Sequence, residues 1–103
     1  MIIGLSQRIL YHQGRAYDAI EHGWYSYLRG HTLFYLPNST AQDFNQIADN
    51  LDSFIITGGD DSTLRRTVEI KLASAMMQRN KPVIGICHGA FLLTELLGGK
   101  VES

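Results

Sequence analysis

The single cysteine of this chain, Cys87, lies in the run Gly85-Ile86-Cys87-His88-Gly89. Glycines two residues before and two residues after a nucleophile are the spacing of a nucleophile elbow. The need is steric: a side chain projected from a tight strand-to-helix turn requires small neighbours, so that strand and helix can approach. An apolar run, Val83 to Ile86, precedes the turn, and an amphipathic stretch from His88 or Gly89 to Leu97 follows it. A helix that begins beside the sulfur presents its positive end there and favours thiolate. The chemistry implied is attack of sulfur on a carbonyl. The competing reading is a structural cysteine at a strand end, because free cysteine is among the most buried residue types.

A second stretch bears on the same chemistry. Gly58-Gly59 follows the apolar run Ser53 to Thr57, which a parallel sheet would set beside the elbow. Lacking side chains, these two residues let backbone amides approach a substrate carbonyl. With the amide of His88 they form a candidate oxyanion hole. Two glycines followed by Asp60-Asp61 also suit an ordinary strand-to-helix turn. The imidazole of His88 reads as a helix-start side chain pointing away from the thiol. His12 follows the first strand and is placed to face the site, whereas His22 and His31 read as solvated. Asp60-Asp61 is too short for a metal cluster and reads as capping material. Arg65-Arg66 followed by Glu69 reads as a solvated helix face. No metal and no cofactor are expected.

These residues need elements to hold them. Met1 to Leu5, Thr32 to Leu36, Ser53 to Thr57 and Val83 to Ile86 read as apolar strands. Tyr17, Ile20, Trp24 and Tyr27-Leu28 recur at helical spacing, which predicts a helix over 16–29 closed by Gly30. Ser39 with Gln42 reads as a capping box for a helix whose face is Phe44, Ile47, Ala48 and Leu51. Asp60, Asp61 or Ser62 caps a third helix with the face Leu64, Val68, Leu72, Ala75 and Met76. Strands alternating with helices imply parallel pairing with right-handed crossovers, and apolar strands imply a sheet covered on both faces. The fold expected is α/β: a flavodoxin-like three-layer α/β/α sandwich with a mainly parallel sheet. Sites in such folds lie at the carboxyl ends of strands. Gln7, Arg8 and Gly58 are therefore candidate substrate-binding residues.

Composition narrows the setting. The chain has 103 residues, 45% hydrophobic and 18% charged, the balance of one small globular domain. A net charge of -1 gives no electrostatic reason to expect nucleic acid or an acidic membrane as partner. One cysteine forms no internal disulfide, which fits a reducing compartment. Met1 to Leu5 is too short and uncharged for a secretory signal, and no apolar run approaches the roughly 20 residues that cross a bilayer. A soluble cytoplasmic location is expected.

At "TGGDD" and "GICHGAFLLTELLGG" the chain resembles the N-terminal half of class I glutamine amidotransferase domains, and most nearly their gamma-glutamyl hydrolase branch. "IIGLSQR" and "YDAIEHGWYSYLRGHTLFYLPN" fit that branch's first strand, helix and second strand. The resemblance implies Cys87 as nucleophile, the amides of Gly59 and His88 as oxyanion donors, and glutamine or a gamma-glutamyl amide as substrate. A gamma-glutamyl nucleotide amidate of surface-polysaccharide biosynthesis is one such amide. It further implies a glutamyl thioester intermediate, and a catalytic histidine and acid from a later strand and loop with no counterpart here. The expectation is a single partial domain over 1–103, truncated after the elbow helix. Such a chain is weak or inactive alone, and self-associates or is completed by a partner chain. DJ-1/PfpI-like proteins also carry a Cys-His-Gly elbow, but usually with a glutamate ending the first strand, where this chain has Ser6-Gln7-Arg8. A non-catalytic binding or scaffold piece is the remaining alternative.

Overall fold

The computed structural model describes residues 1–58 and 62–86. In chain order its elements are β1 (Ile2–Ser6), β2 (Arg8–His12), β3 (Arg15–Ala19), α1 (Gly23–Tyr27), β4 (Thr32–Leu36), α2 (Phe44–Asn50), β5 (Ser53–Ile56), α3 (Thr63–Gln78) and β6 (Val83–Gly85). Four strands form one parallel sheet in the order β4-β1-β5-β6. The registers pair Ile2 with Thr32, Ile3 with Ser53 and Phe54 with Val83. This is the flavodoxin-like order, with the switch point between β1 and β5.

Each face of the sheet has its own apolar cluster. On one side Leu36, Phe54 and Ile56 pack against Ala48 and Leu51 near α2, and against Val68, Leu72 and Met76 of α3. On the other, Ile3, Leu5 and Ile55 pack with Leu33, Tyr35, Ile20, Trp24 and Leu28. The alternation follows from the period-two geometry of a strand, and three layers result. Gly4 shows how tight the first interface is. A Cβ there would come within 2.6 Å of the Leu51 side chain, so a glycine in β1 lets Leu51 sit on the sheet.

The predicted helix over 16–29 is corrected by the structure. Its first part is strand: β3 pairs antiparallel with β2, from Arg8 opposite Ala19 to His12 opposite Arg15. Gln13 and Gly14 make the turn with φ of 50° and 73°, the two positive values that a tight two-residue hairpin turn requires. Only Gly23–Tyr27 is helical. The apolar spacing is half informative, because Ile20, Trp24 and Leu28 do share one cluster. Tyr17 is exposed on the hairpin. Strands and helices thus alternate only if the hairpin is set aside.

Capping departs from expectation once and agrees once. The carboxylate of Asp43 caps α2, accepting from the Gln46 amide at 3.1 Å. Ser39 and Gln42 instead shape the preceding turn: Ser39 Oγ accepts from the Ala41 amide, and Gln42 Nε2 donates to the Ser39 and Pro37 carbonyls. Ser62 caps α3, accepting from the Arg65 amide at 3.2 Å. At the far end Asn80 takes φ of 55° and the Lys81 amide reaches back to the Met76 carbonyl, a left-handed helix stop. Among the described residues no helix is long and apolar enough to cross a membrane.

Candidate functional site

From β1 the chain crosses to β4 on one side, while β5 lies on the other. The loops after β1 and β5 therefore diverge and leave a crevice at the carboxyl edge of the sheet. A cavity of about 280 Å³ lies there, lined by Arg8, Glu21, Trp24, Thr57, Gly58 and Ile86 together with Ala19 and Ile20. Three strand ends contribute to it: Arg8 follows β1, Thr57 and Gly58 follow β5, and Ile86 follows β6. Arg8 is half-buried and Glu21 exposed, so the opening carries one positive and one negative side chain. The hairpin supplies this arrangement, since Arg8 starts β2 directly opposite Ala19 of β3.

Beneath the cavity the ends of β1 and β5 are tied by a buried polar network. Ser6 Oγ accepts from the Thr57 amide at 2.9 Å, and Thr57 Oγ1 donates to the Ser6 carbonyl at 2.9 Å. Arg65 enters from α3. Its Nη2 donates to the Thr57 carbonyl at 2.5 Å and to Thr57 Oγ1 at 3.0 Å, with the Gly58 carbonyl at 3.3 Å and Ser6 Oγ at 3.4 Å. Its Nε donates to Glu69 Oε2 at 3.2 Å, one helical turn along. Arg65 and Glu69 are both fully buried.

The expected solvated face of Arg65 and Glu69 is thereby corrected. The carbonyls of Thr57 and Gly58 lie beyond the last strand pair, Ile56 with Gly85. Buried carbonyls need donors, and the two N–H groups of Arg65 Nη2 reach both while Nε is held by Glu69. The pattern of an arginine and a glutamate one turn apart is visible in the sequence. Its burial depends on where the first turn of α3 meets the sheet, which spacing alone does not reveal.

The loop after β1 is braced from the opposite side. Gln7 Nε2 donates to the Leu36 carbonyl at 3.1 Å, and Asn38 Nδ2 donates to the Gln7 carbonyl at 3.1 Å. Asp18 of β3 accepts from the Asn38 amide at 3.1 Å and from Asn38 Nδ2 at 2.9 Å. These bonds fasten the base of the hairpin to the end of β4.

Of the predicted site residues, Arg8 and Gly58 meet at the cavity. Gln7 does not line it and serves as the brace just described. Cys87, His88 and Gly59 lie outside the described residues; Ile86, which precedes Cys87 in the chain, lines the cavity. His12 is not near it, a correction to its expected placement. It stands four residues out along β2 from Arg8, about 13 Å at strand rise, beside the hairpin turn and exposed. His22 precedes α1 with its ring edge-on to Tyr25 at 5.3 Å, and His31 is exposed. Among the described residues no three His, Cys, Asp or Glu side chains converge as a metal site would need.

Comparison with known proteins adds a family. The family model described as "Glutamine amidotransferase class-I" matches residues 16–103. A GMP synthase [glutamine-hydrolyzing] of Bacillus subtilis (strain 168) is 35% identical over 83 residues, covering 81% of this chain and 14% of that protein. A glutamine amidotransferase-like protein, YvdE, of Lactococcus lactis subsp. lactis is 26% identical over 89 residues, covering 70% of this chain and 38% of that protein. A GMP synthase of Herminiimonas arsenicoxydans is 37% identical over 49 residues, 48% of this chain and 9% of that protein. The chain thus spans well under half the length of these relatives.

Proposed function

This chain belongs to the glutamine amidotransferase class-I family, and on that premise we propose that it carries the nucleophile side of a site that cleaves gamma-glutamyl amides. The thiolate of Cys87 attacks the gamma-carbonyl. A C–S bond forms, and the amides of Gly59 and His88 hold the developing oxyanion. The C–N bond then breaks, and the nitrogen leaves as ammonia or an amine after taking a proton. Water hydrolyses the glutamyl thioester and returns the thiol. Both stages require a general acid and base, which this reading assigns to a histidine and an acidic partner on a later strand and loop. In this reading residues 1–103 act as one partial domain.

The observation that carries the reading is the cavity at the switch point. It lies at the strand ends that the family chemistry uses, and one of its walls is Ile86, the residue before Cys87. Arg8 and Glu21 at its opening suit the alpha-carboxylate and alpha-ammonium of a glutamyl group, and Trp24 offers an apolar wall for its methylenes. A second hollow of about 500 Å³ shares Glu21, Trp24 and Ile86 and extends along Tyr27 and Leu28. Space on that side favours a leaving amine larger than ammonia, as in the gamma-glutamyl hydrolase type of reaction. A gamma-glutamyl nucleotide amidate is one such substrate.

A chloromethyl ketone analogue of glutamine tests the reading by mass spectrometry. One label is expected on Cys87, slowed by glutamine and slowed more by a gamma-glutamyl anilide. The Cys87→Ser variant is expected to take no label. Labelling that neither compound slows counts against the reading; protection by glutamine alone counts against the larger leaving group.

A further inference from the structure

Gly58-Gly59 follows β5 in the chain. Glycine visits more backbone conformations than any other residue, so amides that must point in one direction need a restraint from outside. The described residues contain one. Arg65 donates to two successive carbonyls, those of Thr57 and Gly58. It is itself held by Glu69 and by the Ser6–Thr57 network that joins β5 to β1. In a planar trans peptide the N–H points opposite to the carbonyl. A carbonyl pulled toward the sheet interior therefore turns the next amide in the chain outward. The same bonds serve stability, because buried carbonyls need donors; what the guanidinium adds is a fixed direction for both carbonyls at once.

Resting on the gamma-glutamyl cleavage proposed above, we propose that Arg65 is a positioning residue for acyl transfer, gripping the Thr57 and Gly58 carbonyls so that the amides of the double-glycine turn face the developing oxyanion. Arg65 does not line the cavity and acts through the backbone. Glu69 holds the guanidinium in the orientation that reaches both carbonyls. Lysine is a poor substitute, because a point ammonium lacks the planar fork.

Two reactions of the same thiol separate this role from a merely structural one. An activated gamma-glutamyl aryl ester acylates Cys87: the C–S bond forms through an oxyanion and the aryloxide departs with its electron pair, needing no proton donor. Iodoacetamide alkylates Cys87 by displacement of iodide, with no oxyanion. The variant pair Arg65→Met with Glu69→Gln removes the guanidinium without stranding a buried carboxylate. Its maximal acylation rate is expected to fall about 10- to 100-fold, with half-saturating ester concentration and alkylation rate unchanged. Arg65→Lys, which keeps a buried charge for Glu69, carries the same test if the pair does not fold by circular dichroism; it should fall between. Equal acylation by the wild-type chain and the variants overturns this proposal alone. Acylation and alkylation falling together overturns it in favour of a structural role. A wild-type chain that is alkylated but never acylated overturns the cleavage reading and this proposal with it.

Discussion

Thr57 is the residue on which two strands and a helix converge. Its amide, hydroxyl and carbonyl all bond within the buried network, so each atom has a separate consequence. Thr57→Val keeps the shape and removes the hydroxyl, leaving the Ser6 carbonyl without that donor. A loss of about 1–3 kcal/mol is expected from stranding buried polar groups, measured by denaturant unfolding. Thr57→Ser should restore most of it. At this scale the sequence is legible where the interaction is local. Ser62 caps α3 as one of its three candidates because a cap depends only on neighbours in the chain. Ser39 with Gln42 matches a capping pattern yet does not cap, since Asp43 offers a cap closer to the apolar face that α2 buries. The burial of Arg65 is not legible, because it is decided by what lies across the space, here the carbonyl edge of β5.

Among the elements, the hairpin is the part that sequence periodicity hides. Tyr17, Ile20, Trp24 and Leu28 fit a helical stripe, but Gln13-Gly14 carries a hairpin turn without the Asn-Gly pair that usually announces one. The four parallel strands are legible as short apolar runs, two of them closed by turn residues, β4 by Pro37-Asn38 and β5 by Gly58-Gly59. The adjacency of β5 and β6 is legible too, since a single helical crossover joins them. Gln13 pays for its positive φ more than asparagine would. Gln13→Asn is expected to stabilise the hairpin by a few tenths to about 1 kcal/mol. Slower amide hydrogen exchange across β2 and β3, with exchange in β1 and β5 unaltered, would show it. Unchanged exchange in the hairpin would count against a conformational cost at Gln13.

For the whole molecule, the two helices on one face are tied together where their charges meet. Arg79 Nε donates to Asp49 Oδ1 at 2.6 Å, and Lys81 Nζ donates to the Ala48 carbonyl at the end of α2 at 2.7 Å. The Arg79 hydrogen bond holds the Asp49 carboxyl below its usual range, with the charges of Arg79 and Lys81 acting in the same direction and burial against them. A carboxyl lowered by folding lends stability that is complete above its unfolded value, 3.8. That stability is lost as pH falls through the folded value. The pair is exposed, so the effect is small. Wild type and Asp49→Asn should differ slightly in thermal midpoint near neutral pH and converge in acid. Midpoints that stay parallel across that range would contradict the pair.

The ribbon of β2 and β3 gives the molecule a lever. Its root, at Arg8 and Ala19, forms part of the cavity wall, while its tip at Gln13 and Gly14 stands clear in solvent. A fluorophore attached at the tip would leave the core undisturbed, yet its tumbling would register whatever grips or releases the root, turning occupancy of the cavity into a signal read from outside.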